Sequence, residues 1–148
     1  MDKAMYAQTK IVGQAALEAG LQHCPLALES VPAGWPSPAA DYLEAQVNLH
    51  EHIVRNPAAT FLAKAAGNSM IGAGIHDGDM LVVDRSVEPL DKSIVLACLG
   101  SEFTVKRLRF WKNRVYLTPE NKDYQKIDVT ENDDFLVWGV VTWVLHKI

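Results

Sequence analysis

With 148 residues, 49% of them hydrophobic and 22% charged, the chain is long enough for one domain with a buried core plus an arm. Its net charge of −4 argues against a DNA-binding surface, because phosphate contacts need clustered Lys and Arg. No apolar run approaches the roughly 18–20 residues that span a bilayer, and no secretory signal pattern opens the chain, so no membrane contact and a cytoplasmic location are expected.

In chain order, residues 3–20 are alanine-rich with Ala4, Ile11, Ala15 and Ala19 near helical spacing, which predicts a helix ended by Gly20. This segment is far too short for a helix-turn-helix domain. Residues 24–38 carry Pro25, Pro32, Pro36 and Pro38, which disfavours both helix and paired strand. Cys24 and Cys98 are too few for a disulfide framework and read as ordinary thiols. Asn48-Leu49-His50-Glu51 has the form of a capping box, and Pro57 lies beyond the short helix it would start. His50 and His52 stand two apart, so a helix points them to different sides and they read as surface residues rather than metal ligands.

Phe61–Ala66 reads as a strand broken by Gly67, with Gly72 and Gly74 holding the next residues in turns. Short strands then follow at Met80–Asp84, Ser93–Leu99, Glu102–Leu108, Arg114–Thr118 and Phe135–Leu145. Asp77-Gly78-Asp79, Gly100-Ser101 and Lys112-Asn113 mark turns. The first of these lacks the other ligands of a calcium loop. Glu131–Asp134 reads as a solvated acidic loop. Trp138 and Trp143 are five apart on one strand, hence on opposite faces, one in the core and the other at an interface.

Ser69 sits where a strand gives way to a glycine-bounded turn. That place exposes Oγ and aims backbone N–H groups at one point, as a nucleophile with an oxyanion hole requires. Alone, the commoner reading of such a serine is a turn residue. None of the five histidines stands in a triad motif, so a hydrolase built on Ser69 needs another base, and a neutral lysine can serve. Lowering a lysine pKa from about 10.4 to roughly 7 costs about 4–5 kcal/mol, which burial can impose. Strand alternation puts Thr104, Lys106, Leu108 and Phe110 on one face, with Arg107 and Arg109 on the other. Lys106 is thereby the only charge on a mainly apolar face, although from this pattern alone a lysine snorkelling at a sheet edge is the commoner reading.

Taken together, three motifs closely resemble the LexA/UmuD family of self-cleaving Ser–Lys proteases. They are Gly67-Asn68-Ser69-Met70, the run from Gly74-Ile75-His76-Asp77-Gly78-Asp79 to Asp84, and Phe103-Thr104-Val105-Lys106-Arg107-Leu108. Gly34-Trp35-Pro36-Ser37-Pro38-Ala39-Ala40-Asp41-Tyr42 narrows the resemblance to the UmuD/MucA/RumA-like mutagenesis branch. The likeness runs from about Ala33 to the C-terminus, whereas residues 1–33 depart from the pattern in a longer arm.

The resemblance implies a mainly β protease domain of curved, strongly twisted short sheets, with one short helix and an extended N-terminal arm. It implies Ser69 as nucleophile, Lys106 as general base, the Asn68 and Ser69 N–H groups as oxyanion hole, and Ala33-Gly34 as the cleaved bond. Residues 1–33 would be the removed arm and 34–148 the peptidase and polymerase-accessory domain. A homodimer, stimulation by the RecA filament on single-stranded DNA, and a Y-family translesion polymerase partner follow on the same basis. The sliding clamp is a further candidate partner. No cofactor or metal is required. The rival readings are an accessory module that binds a polymerase or clamp without cleaving itself, and a repressor fragment.

Overall fold

Period-two runs of Val, Ile, Leu and Phe, cut by Gly and Asn turns, favour antiparallel strands joined by tight hairpins. The computed structural model, which describes residues 10–14, 24–27, 33–34 and 44–148, contains such a fold. Its ten strands are β1 (Lys10–Gln14), β2 (Cys24–Ala27), β3 (Glu44–Val47), β4 (Thr60–Lys64), β5 (Met80–Asp84), β6 (Ile94–Leu99), β7 (Glu102–Trp111), β8 (Arg114–Thr118), β9 (Ile127–Asp128) and β10 (Phe135–Leu145). Eight form one sheet in the order β1-β4-β5-β10-β6-β7-β8-β9, and β2 pairs with β3 separately. Every pairing is antiparallel. No helix among the described residues is long and apolar enough to cross a membrane.

Among the described residues one α-helix, α1 (Leu49–Ile53), starts as its capping box dictates: the Glu51 N–H donates to Asn48 Oδ1 at 3.3 Å. Lys112 and Asn113 adopt φ of 47° and 61°, the left-handed pair that a two-residue hairpin needs between β7 and β8. β10 is central because its length lets it pair with β5 at one end and β6 at the other. Gly139 permits this packing, since a Cβ there would lie 2.6 Å from Val83 Cγ1. Trp138 packs edge-on against Phe61 and Phe103, while Trp143 is exposed beside His52. A register shift between Val141 and Trp143 intervenes, so simple alternation does not set their faces.

Three expectations are corrected. Within the expected helix over 3–20, Lys10–Gln14 is a strand paired with β4. The β-branched Ile11 and Val12 favour extended backbone, and the open β4 edge supplies partners that override weak helical spacing. The rest of that helix lies outside the described residues, as do most of residues 28–43. Cys24–Ala27 is paired, despite Pro25. In a two-stranded sheet each strand has an unpaired side, where a missing N–H is tolerated. Phe110 is exposed rather than on a buried face, because β7 runs past the core into its hairpin tip.

Candidate active site

Ser69 is placed by the segment leaving β4. Ala65 N–H donates to Asp79 O at 2.8 Å, Gly78 N–H donates to Ala65 O at 2.9 Å, and Gly67 N–H donates to Asp77 Oδ1 at 2.7 Å. With Gly67 at φ 82°, a left-handed turn that favours glycine, the chain folds back and presents Ser69 towards β7. From the other side, Glu120 N–H donates to Ser69 O at 2.8 Å and Asn121 Nδ2 donates to Asn68 O at 2.8 Å. Gly72 N–H donates to Glu120 O at 2.7 Å, and a Cβ on Gly72 would stand only 2.6 Å from that oxygen. Gly72 therefore serves close approach, while Gly74 at φ 81° serves the turn.

Lys106 enters from the middle of β7 and is 1% exposed, among the largest fully buried side chains of the described residues. Its Nζ lies 3.1 Å from Ser69 Oγ, 2.8 Å from Thr104 Oγ1 and 3.1 Å from Val105 O. None of these acceptors is a carboxylate. Burial, with nothing negative to offset it, pulls the lysine pKa from 10.5 to about 8. The group is therefore a base that is substantially neutral just above physiological pH.

Beside Ser69 is a cavity of about 10 Å³ lined by Ala65, Ala66, Gly67, Ser69, Met70, Ile75, Thr104 and Val105, room for about one water. Among the described residues, the N–H groups of Asn68 and Ser69 meet no acceptor, which leaves both free to donate to an incoming oxygen. Chemically, the site combines a hydroxyl, an amine and spare donors, the parts required for acyl transfer without a histidine.

The structure thus brings Ser69, Lys106 and the Asn68–Ser69 backbone together, but not Ala33 and Gly34. Those two residues are exposed, lie between β2 and β3, and do not line the cavity. Sequence reasoning missed Thr104, Asp77, Glu120 and Asn121 as positioning residues. Thr104 had a signal, a hydroxyl two positions before the lysine on the same strand face. Glu120 and Asn121 had none, being 51 and 52 positions beyond Ser69.

The Peptidase S24-like family matches residues 25–142. Protein MucA of Salmonella typhimurium is 47% identical over 119 residues, covering 80% of this chain and 81% of that protein. Protein SamA of Salmonella typhimurium strain LT2 is 45% identical over 123 residues, 83% of this chain and 85% of that protein. The LexA repressor of Bordetella parapertussis is 37% identical over 143 residues, 93% of this chain and 66% of that protein.

Proposed function

Because the chain belongs to the S24-like peptidase family, on its UmuD-like branch with MucA and SamA, we propose that it is a self-cleaving serine peptidase with Ser69 as nucleophile and Lys106 as general base. The observation that carries this reading is the 3.1 Å contact between Lys106 Nζ and Ser69 Oγ, with the lysine buried and unpaired by any carboxylate among the described residues. An ammonium donates three hydrogens, one to each acceptor around Nζ. After deprotonation two N–H bonds still satisfy Thr104 Oγ1 and Val105 O, and the lone pair faces Ser69. The neutral amine is therefore oriented to accept the hydroxyl proton.

In the proposed reaction Ser69 Oγ attacks the Ala33 carbonyl carbon while its proton passes to Lys106. The Ser69 and Asn68 N–H groups hold the resulting oxyanion, and Lys106 returns the proton to the departing Gly34 nitrogen. Water then hydrolyses the ester on Ser69 and releases the arm, residues 1–33, from the domain 34–148. β1 adds to the edge of β4, the strand that runs into the Ser69 turn, so the arm already engages this sheet in the manner of an added strand. Ala33-Gly34 must move into the site, from the same chain or from a second copy in a homodimer.

On this reading proteolysis is a switch of the SOS mutagenesis response. The RecA filament on single-stranded DNA promotes cleavage, and the trimmed dimer serves a Y-family translesion polymerase, with the sliding clamp a further candidate partner. The test is intact-mass analysis from about pH 7 to 10, with and without activated RecA, beside Ser69→Ala and Lys106→Ala. We expect a fragment beginning at Gly34 that neither variant yields. Its rate should rise about tenfold per pH unit until the lysine is neutral near pH 8, then level off. A wild-type chain left whole under every condition favours the alternative, an accessory module that binds without cleaving.

A further inference from the structure

Away from Ser69 Oγ, on the turn before β5, His76, Asp79 and His146 bring one ligand atom each to within 4.8 Å of one another. They come from two elements: His76 and Asp79 from the turn entering β5, and His146 from the residue after β10, which pairs with β5. Asp79 is 3% exposed, at the floor of the cluster, while the imidazoles stand half exposed at its mouth. The rings are tilted by 41° to one another with centroids 4.8 Å apart.

We propose that His76, Asp79 and His146 form a binding site for a divalent transition metal of the zinc type. Two imidazoles and one carboxylate are the donor set that zinc, cobalt and nickel ions favour over calcium or magnesium. His146 Nδ1 lies 2.6 Å from Asp79 Oδ1, held by a hydrogen bond. A metal takes the place of that shared proton, leaving Nδ1 and Oδ1 as its ligands. His76 Nδ1, 3.7 Å from Asp79 Oδ2, closes the third position. Ligand atoms on one tetrahedral ion at about 2.1 Å stand roughly 3.4 Å apart. The cluster therefore needs the closest pair to open by under an ångström and the widest-spaced ligand atoms to close by a little more, which half-exposed side chains can do by rotation.

The carboxylate is also held from behind. His76 N–H donates to Asp79 Oδ2 at 2.8 Å, the outer-shell support that fixes a ligating carboxylate. Three protein ligands leave a fourth position to water. An exposed acidic cluster has neither the imidazoles nor a buried, pre-oriented carboxylate.

The experiment is calorimetric titration of the full chain, without a histidine tag and after chelator treatment, with zinc chloride. Cobalt chloride absorption reports the coordination geometry. The expected result is one equivalent bound, visible bands from four-coordinate cobalt, and an unfolding temperature that rises with zinc concentration. His76→Gln and His146→Gln should each weaken binding by about tenfold or more, while His52→Gln leaves it unchanged. Both histidines are half exposed, so these variants fold where Asp79→Asn could fail. Absence of wild-type binding, binding undiminished in the His76→Gln/His146→Gln double variant, or loss of binding in His52→Gln would each overturn the proposal. Binding is read without cleavage, so the outcome is independent of the protease assignment.

Discussion

Lys106 and Arg107 are consecutive residues of β7 and carry the same formal charge, yet the two faces of that strand treat them oppositely. Lys106 is buried among neutral oxygens, and its pKa falls to about 8. Arg107 is partly exposed and paired with Glu120, and Arg109, two residues on, is paired with Asp91. A cation meant only to decorate a strand is solvated or given a carboxylate. One that is buried with neither has had its proton affinity lowered at a cost in stability, and such groups concentrate at sites of chemistry.

The hardest break of this contrast is Lys106→Arg, which keeps the charge but cannot lose its proton. If the inner face works through a neutral amine, cleavage should fall by about 10²–10⁴-fold, the usual worth of a general base. Single-turnover appearance of the 34–148 fragment measures it, and an arginine variant that still cleaves would remove Lys106 as the base.

Next in size is the stability that burial withholds. The folded-state pKa of Lys106 is about 8 against 10.5 for the ordinary side chain, so between those values the unfolded chain binds more protons. Stability must then rise with pH across that window, and the full penalty applies below it. The shift corresponds to about 3 kcal/mol. Lys106→Met removes it while leaving Thr104 Oγ1 and Val105 O without their donor. The expected net gain at neutral pH is about 1–3 kcal/mol, shrinking as pH approaches 10.5. Urea midpoints at the two ends of the window check the sign; a gain independent of pH would show that the lysine is not held uncharged.

A third variant tests the turn that presents Ser69. Gly72→Ala puts a methyl 2.6 Å from Glu120 O, backbone that cannot swing away as a side chain would. Overpacking of this kind costs about 1–3 kcal/mol. Because Glu120 N–H holds the Ser69 carbonyl, cleavage should slow as well. A fully stable, fully active alanine variant would mean that this turn tolerates more movement than its hydrogen bonds imply.

What the sequence made plain was local. The helix cap at Asn48, the hairpin at Lys112-Asn113 and the strands Met80–Asp84 and Phe135–Leu145 each rest on residues within a few positions of one another, and the structure reproduces them. Ser69 and Lys106 could be singled out because each sits in a short motif, and the structure brings them to 3.1 Å across 37 positions. Lys10–Gln14 was misread because an alanine-rich stretch satisfies helical spacing weakly, and only the distant β4 edge decides that this segment is extended. His146 stands 67 positions from Asp79, and Glu120 stands 51 beyond Ser69. No local pattern announces either, since their meaning comes from tertiary contacts alone.

The smallest effect asks whether the faces of β7 are independent at all. Arg107 Nε bonds Glu120 Oε1 and its Nη1 donates to Lys92 O at 2.7 Å. The pair is roughly a quarter to a third exposed, so Arg107→Ala should cost only about 0.2–1 kcal/mol of stability. Yet Glu120 also holds Ser69 through its backbone, so the outer face touches the inner one through a single residue. If side chain and backbone of Glu120 act together, Arg107→Ala should slow cleavage several-fold, more than its stability loss implies, and Glu120→Ala should add little on top of it. A double-mutant cycle separates the cases. Coupling near zero would mean that the backbone contacts of Glu120 suffice and that the outer arginines serve the sheet alone. Appreciable coupling would mean that an exposed ion pair helps set where the buried hydroxyl meets its base.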